Sequence, residues 1–369
     1  MSRPYRLAFI GGSIESIAGY PHAVAARMDH RFTIDAGAFS TQGAVNRATA
    51  AAWGVERLYD DWRAMLHEEH GRIDAVVILL PTPMHAEALA AARGLGVPVV
   101  CEKPLVATPE EMERFCADFD PAREFVVVTN NYSGYQMVRE LRQRIRDGEL
   151  GAIHGVQVAM PQESFLRPPK SVKYPQPWRL HDGTVPMISL DLGTHCYHLA
   201  DFLLDQRPDR VWSDQSRISR YGVIDDVRIR CRYPSGASGD IWLSKVALGH
   251  RNGLAVSVHG DRAAATWIQA EPELLRIAYP DGTRRTLDRG GEMHLQQPRH
   301  YNRMTPGHPS GFIEAFANLY ADIADSLDRF HRGEPYITDY CYGVSQARES
   351  LSFFADARRA ADTGLWLER

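Results

Sequence analysis

The first 130 residues alternate between short apolar runs and stretches with helical periodicity. Residues 5–10, YRLAFI, are an apolar run of strand length, ended by Gly11-Gly12 and followed by a helical stretch that includes His22 to Arg27. The segment 32–39, FTIDAGAF, predicts a second strand, and an alanine-rich helix from Ala44 to Trp53 follows it. Residues 74–80, DAVVILL, are apolar almost without a break, which suits a parallel strand buried on both faces. Pro81-Thr82-Pro83 breaks that run, and Met84 to Arg93 reads as a helix. Gly94 and Gly96 punctuate the approach to the strand VPVVC, 97–101. Pro109 to Ala117 is a helix with proline at its start, and EFVVVTN, 124–130, is the last strand of the series. Such alternation builds a doubly wound α/β domain over residues 1–130.

From residue 131 the pattern changes. Tyr135 to Asp147 reads as a helix ended by Gly148. Period-two alternation then returns in IHGVQVAM, RIRCRY, GDIWLS, LAVSVHG and AATWIQ, with turns such as Pro234-Ser235-Gly236 and Pro280-Asp281-Gly282. This predicts a mostly antiparallel sheet with one wetter face. Residues 161–186 are rich in Pro, Lys, Trp and Tyr and lack periodicity; loops of that length are often functional. Met187 to Leu204 reads as a helix placed just after Pro186, with a costly Gly193 inside it that close approach of a ligand or another helix would explain. Two late helices, about 310–331 and 343–361, carry apolar faces (Phe312, Phe316, Leu319, Ile323; Leu351, Phe354) that read as core. The expected organisation is a dinucleotide-binding domain over 1–130 and an α+β domain with an open sheet over 131–369.

Composition narrows the function classes. The chain has 369 residues, enough for two domains, and 42 basic against 46 acidic residues, a formal charge of -4. No overall positive field draws nucleic acid or an anionic membrane surface. The 5 cysteines are scattered without a CxxC pair, which argues against a disulfide framework or a sulfur-rich zinc site and points to a reducing cytoplasm. No run has the length of a membrane span, and the first residues lack the pattern of a secretory signal.

Candidate chemistry starts at the turn after the first strand. Gly11, Gly12 and Ser13 can form a tight turn, Ile14 and Ile17 flank it, Ser16 could cap a helix or approach phosphate, and Gly19 permits close helix–sheet contact. Glu15 is awkward there, since a carboxylate repels a pyrophosphate. The second strand ends without the acid that usually holds the adenosine ribose of NAD; Ser40 and Thr41 stand in its place, with Arg47 downstream, so NAD and NADP both remain open. Pro81, Thr82 and His85 follow another strand and are expected to line the cofactor. Glu102 is expected to bond the nicotinamide ribose or backbone. Lys103, held between a buried strand and Pro104, can hydrogen-bond a substrate oxygen and stabilise developing alkoxide. His195 is the candidate base, since its unperturbed pKa lies near neutrality. Asp191, four residues earlier, would share a helix face with it and fix the imidazole. Asp191, His195 and His198 together could mimic metal ligands, but the HExxH pattern is missing and no metal is expected. Tyr132, Gln162, Trp178, Arg179, His181 and His308 are candidate substrate contacts, each with packing as its plainer explanation.

Glu102-Lys103-Pro104 after the strand VPVVC, Thr82-Pro83-Met84-His85 upstream and Asp191-Leu192-Gly193-Thr194-His195 downstream together resemble the glucose–fructose oxidoreductase / inositol dehydrogenase (Gfo/Idh/MocA-type) family, over nearly the whole chain. A branch of sugar dehydrogenases resembles it further in Ala18-Gly19-Tyr20-Pro21-His22, in GAFS at 37–40, in NYxGYxMVR at 131–139, and in Gly307 to Tyr320. The resemblance implies a Rossmann domain, an α+β domain with an open antiparallel sheet, NAD (or NADP) as cofactor, and a homodimer or homotetramer. It implies that Lys103 orients substrate and cofactor, that His195 accepts the hydroxyl proton and that Asp191 supports both. The expected activity is hydride transfer between NAD(P) and a secondary hydroxyl or ketone of a small sugar, inositol or sugar derivative. Two alternatives stand beside it: NAD-assisted lyase or glycosidase chemistry with an internally recycled cofactor, and a non-catalytic nucleotide-binding protein.

Overall fold

The structure is a computed structural model that describes residues 3–168, 175–295 and 302–369. It divides into two compact units, one of Met1–Gly134 with Gly311–Arg348, the other of Tyr135–Ser310 with Glu349–Arg369.

The first unit opens with β1 (Tyr5–Gly11), α1 (Gly19–Met28), β2 (Phe32–Ala38), α2 (Gly43–Trp53), β3 (Arg57–Leu58) and α3 (Trp62–Glu69). Next come β4 (Ala75–Leu79), α4 (His85–Gly94), β5 (Val99–Cys101), α5 (Pro109–Cys116) and β6 (Val126–Val128). The strands pair in the order β6-β5-β4-β1-β2-β3, all parallel. Every residue of β4 is buried, as its unbroken apolar run requires. Local signals set the helix ends. Thr108 and Glu111 form a capping box around Pro109 at the start of α5, and Asp61 caps α3. The short β3 and the polar α3 were not expected from the sequence pattern.

The second unit contains α6 (Gln136–Arg146), β7 (Ile153–Pro161), a π-helical turn at Ser189–Gly193 and α7 (Thr194–Leu204). Its strands continue with β8 (Arg210–Ser216), β9 (Asp226–Arg232), β10 (Ser238–Ser244), β11 (Ala255–Gly260), β12 (Ala264–Ile268), β13 (Leu275–Ala278) and β14 (Arg284–Leu287). Alternation sends Val156, Val158, Val227, Ile229, Ile241, Leu243, Val256, Val258 and Trp267 into the core. The opposite positions carry Arg228, Arg230, Arg232 and Gln157, and Arg228 stacks over Trp242 at 4.1 Å.

The chain then gives α8 (Phe312–His331), β15 (Tyr342–Gly343), α9 (Val344–Thr363) and β16 (Leu367–Glu368). α8 belongs to the first unit, where Phe316, Leu319, Ile323 and Leu327 join Leu7, Phe9, Phe32 and Val77 in one core. The expected boundary, which gave everything after residue 130 to the second domain, is therefore corrected: Asn131–Gly134 and Gly311–Arg348 fall in the first. Phe312, expected in a core, is 37% exposed. β15 adds an antiparallel edge to β6. In the second sheet the order is β14-β13-β12-β11-β7-β10-β9-β8-β16, antiparallel except for β7 with β10.

Cys101, Cys196, Cys231 and Cys341 are buried free thiols and Cys116 is half-buried. Burial raises the pKa of all five, to about 12 for Cys231 and Cys341. Among the described residues no helix is long and apolar enough to cross a membrane, and no group of three or more His, Cys, Asp or Glu is placed to hold a metal ion.

Candidate active site

In the first unit the candidate residues gather at the carboxyl ends of parallel strands, where ligands bind in such sheets. Gly11 and Gly12 take φ of +76° and +72°, a turn that favours glycine. A Cβ on Gly11 would lie 2.8 Å from the Leu79 carbonyl oxygen, so the turn rests directly on the end of β4. A Cβ on Gly19 would collide with the carbonyl oxygen of Gly12, so α1 starts hard against the turn. Ser13 is buried, and its carbonyl accepts from Ser16 N at 2.8 Å; Ile14 N donates to Thr49 Oγ1 at 3.2 Å. Ser16 does not cap α1: the N-cap residue is Ala18, which makes no side-chain cap. No acidic side chain lies in the first turn of α1, and Glu15 is exposed on the loop before it, beside exposed Ile14 and Ile17. An uncapped helix start behind two left-handed glycines fits the pyrophosphate of a dinucleotide.

At the end of β2, Ser40 Oγ accepts from Gln42 N at 3.1 Å and Thr41 is exposed. Asp35 faces Arg57 at 3.6 Å, while Arg47 is exposed near the start of α2. After β4, Thr82 is buried and Pro81 half-buried. His85, expected to line the cofactor, has both ring nitrogens against backbone carbonyls. It is 1% exposed, with Nδ1 2.9 Å from the Pro104 carbonyl and Nε2 2.8 Å from the Leu80 carbonyl. Burial lowers its pKa, and the ring ties the turn after β4 to the turn after β5.

Glu102 and half-buried Lys103 follow β5, and the Lys103–Pro104 peptide bond is cis. Glu102 Oε1 accepts from Thr129 Oγ1 at 2.6 Å and meets His22 Nε2 at 2.8 Å. Burial alone would raise the Glu102 pKa. The hydrogen bond of His22, the charge of Lys103 and the hydrogen bond of Thr129 outweigh it and hold the carboxyl below its ordinary range. Tyr132 is buried in a 3₁₀ turn, its ring 6.0 Å from that of Phe312.

In the second unit Asp191 sits in the π-helical turn that precedes α7, and buried His195 sits in the first turn of α7. A π turn is wider than an α turn, and Asp191 lies within it. Its Oδ2 accepts from Lys245 Nζ at 2.7 Å, and its Oδ1 pairs with Arg179 Nη1 at 2.6 Å. Arg179 in turn stacks over Trp178 at 4.3 Å. Gly193 is explained by packing: a Cβ there would lie 2.6 Å from the Phe354 ring of α9 and 3.1 Å from Leu243.

The remaining expected contacts of this unit each have bonds of their own. Gln162 Nε2 donates to Asn252 Oδ1 at 2.8 Å, although its backbone N bonds Ser244, next to Lys245. His181 is exposed, with Nδ1 3.0 Å from the Pro177 carbonyl. His308 is exposed on a turn with Thr305, and its carbonyl accepts from Arg289. His198 is a core histidine, its pKa pushed down to about 3 by burial and by Arg142. Sequence reasoning missed Lys245, whose signal was a lysine directly after the alternating strand GDIWLS. It also missed what His22 and Tyr320 bond.

Residues 5–130 match the oxidoreductase family with NAD-binding Rossmann fold, and residues 138–266 match the Gfo/Idh/MocA C-terminal domain. Along its full length the chain is 30% identical to a solved inositol dehydrogenase homolog from Azotobacter vinelandii, with a TM-score of 0.88 and 98% of that chain covered. The chain belongs to the Gfo/Idh/MocA oxidoreductase family. That solved homolog was crystallised with NADH and myo-inositol. Among curated relatives in the family, the uncharacterized oxidoreductase YfiI of Bacillus subtilis is 29% identical over 100% of this chain and 98% of its own length. Inositol 2-dehydrogenase of Rhizobium meliloti is 28% identical over 91% of this chain and 93% of its own. The family assignment makes the first unit an NAD-binding Rossmann fold and accounts for the mostly antiparallel sheet of the second.

Proposed function

We propose that this protein is an NAD-dependent dehydrogenase that exchanges a hydride between the cofactor and a secondary hydroxyl or ketone of a small sugar, inositol or sugar derivative. The observation that carries this reading is buried His195, four residues after a carboxylate gripped by Lys245 and Arg179, in a chain with an NAD-binding Rossmann fold. Gly11, Gly12, Ser13, Ile14, Ser16 and Ile17 would hold the pyrophosphate end. Ser40 and Thr41 would meet the adenosine ribose, and Pro81, Thr82 and Glu102 the nicotinamide end. The bound cofactor supplies the hydride acceptor. His195 takes the hydroxyl proton as the carbinol becomes a carbonyl. Lys103 donates to the reacting oxygen and stabilises alkoxide character. Asp191, held by Lys245 and Arg179, orients the substrate or the imidazole. Arg179, Trp178, His181, Tyr132, Gln162 and His308 are the proposed substrate contacts. NAD is preferred over NADP in this reading, because no arginine directly follows β2.

The test is a crossed screen of free sugars, inositols and their oxidised forms with NAD and NADP, followed by absorbance of the reduced nicotinamide. Substrate-dependent NAD reduction is expected. Product formation without net reduction would replace this reading with lyase or glycosidase chemistry, and cofactor binding without any turnover would replace it with a non-catalytic role. The same reading includes a homodimer or homotetramer; the open face is rich in arginine, so any association through it is polar. A monomer mass by light scattering at micromolar concentration would remove that part.

A further inference from the structure

Two segments singled out in the sequence play no part in the chemistry above: the one ending at His22 and the one ending at Tyr320. The fold of the first unit brings both to Glu102. His22 Nδ1 lies 2.8 Å from Tyr320 Oη, and His22 Nε2 lies 2.8 Å from Glu102 Oε1. His22 and Thr129 are 0% exposed and Tyr320 is 2% exposed. Phe316 packs edge-on against the imidazole at 4.8 Å.

The direction of this chain follows from its ends. Glu102 is ionised and can only accept, so the proton on its contact with His22 resides on Nε2. Burial, with the Glu102 charge added, raises the Tyr320 pKa far above its ordinary value, so the phenol keeps its proton. With the imidazole proton on Nε2 and the phenol keeping its own, Nδ1 accepts from Tyr320. Three donors thus point one way: Tyr320 to His22, and His22 and Thr129 to Oε1. Among the described residues Glu102 Oε2 has no hydrogen-bond partner, and the side chain keeps 15% exposure. Stability alone does not account for the arrangement, since a buried ionic or polar pair is often no more stabilising than apolar residues of the same volume.

We infer that His22 and Tyr320 are positioning residues whose hydrogen-bond chain occupies Glu102 Oε1 and presents Oε2, beside Lys103, as a fixed acceptor for donor groups at the nicotinamide end of the cofactor. This rests on the reading of Glu102 as a cofactor residue given above. The chain polarises in one direction and removes the rotational freedom that an exposed glutamate would lose on binding.

The test needs no turnover. Ring ¹⁵N NMR of the cofactor-free protein should show His22 as the Nε2–H tautomer with Nδ1 as an acceptor; an Nδ1–H tautomer overturns the inference. NAD titration should then show about 10- to 100-fold weaker binding in His22→Leu, the scale of a lost charged hydrogen bond with its partner left unsatisfied. His22→Gln, whose amide can still donate toward Glu102, should recover most of it, and Tyr320→Phe should cost about 3-fold. In a Glu102→Gln background, His22→Leu should add little, because residues acting through one group are not additive. Equal losses in both backgrounds overturn the positioning role. A pH series adds a sign. His22 lowers the Glu102 pKa, so in His22→Leu the acid limb of NAD affinity moves to higher pH. Lys103, His85, Cys101 and Tyr320, the other titratable groups facing Glu102, are unchanged in that comparison. If His22→Leu does not fold, the tautomer and Tyr320→Phe decide. Wild-type protein that binds no NAD overturns the functional reading itself, whereas NAD binding indifferent to His22 and Tyr320 overturns only this inference.

Discussion

Lys103 stands on a support made of backbone: a buried strand behind it, Pro104 after it, and a glycine turn that rests on the neighbouring strand. Asp191 owes its position to side chains from distant parts of its own unit, Arg179 from the long loop and Lys245 from the end of β10. The first arrangement comes with the α/β sheet, which every strand–turn–helix junction of this type shares. The second is assembled from charged side chains, so changing one of them leaves the backbone pairing of the sheet in place. On the proposed reading, cofactor binding belongs with the fixed scaffold and substrate choice with the ion cluster.

The largest effect should come from the groups proposed to touch the reacting atoms. His195→Ala should lower kcat/KM by about 10² to 10⁴ with little change in NAD affinity, and Lys103→Ala by a similar factor. The wild-type rate of oxidation should rise with pH as the base loses its proton, and that limb should flatten in the His195 variant. Near-wild-type kcat/KM with the same limb would remove His195 as the base.

Next in size is a break confined to the backbone-built region. Gly19→Ala forces a methyl against the Gly12 carbonyl, where no flexible side chain can give way. NAD affinity should fall by about 10-fold or more, and the melting temperature should drop, as expected for an overpacked contact costing about 1–3 kcal/mol. Unchanged NAD affinity in titration calorimetry would mean that the turn does not carry the cofactor.

The smallest effect sharpens the other side. Lys245→Met keeps the length of the side chain and removes a cation bonded to Asp191. KM for substrate should rise by about 10-fold while the Kd for NAD stays within 2-fold, in keeping with a lost charged hydrogen bond of about 1.5–3 kcal/mol. Steady-state kinetics beside NAD titration separates the two. A matching loss of NAD affinity would erase the division of labour between the regions.

The same contrast explains what could be read from the sequence. The unbroken run before Pro81, the glycines at 11 and 12 and the Glu102-Lys103-Pro104 turn are local signals, and the strands and their ends followed from them. Asp191 was legible as a carboxylate, but not its partners, because ion pairs between residues 179, 191 and 245 leave no periodic trace. The π turn escaped for a related reason: its sequence, SLDLG, has nothing that distinguishes it from an α-helix except Gly193, whose contact lies on α9. α3 was missed because Trp62, Met65 and Leu66, at i, i+3 and i+4, make a single apolar turn, too short a signal in an eight-residue helix. The residues of α8 were recognisable as core, yet their spacing cannot say which of two cores they enter, and they enter the first.

The sealed cysteines give each unit an internal clock. A thiol reacts with alkylating reagents as its thiolate, and only when the reagent can reach it. Cys101 and Cys341 lie in the first unit and Cys196 and Cys231 in the second, all four buried. Their labelling in the folded protein must wait for local opening, so the modification rate at each, read by peptide mass spectrometry, times the opening of that neighbourhood alone. Half-buried Cys116 sets the fast reference within the same molecule. Because Cys101 directly precedes Glu102, ligands that tighten the turn after β5 should slow its labelling before they slow that of Cys231.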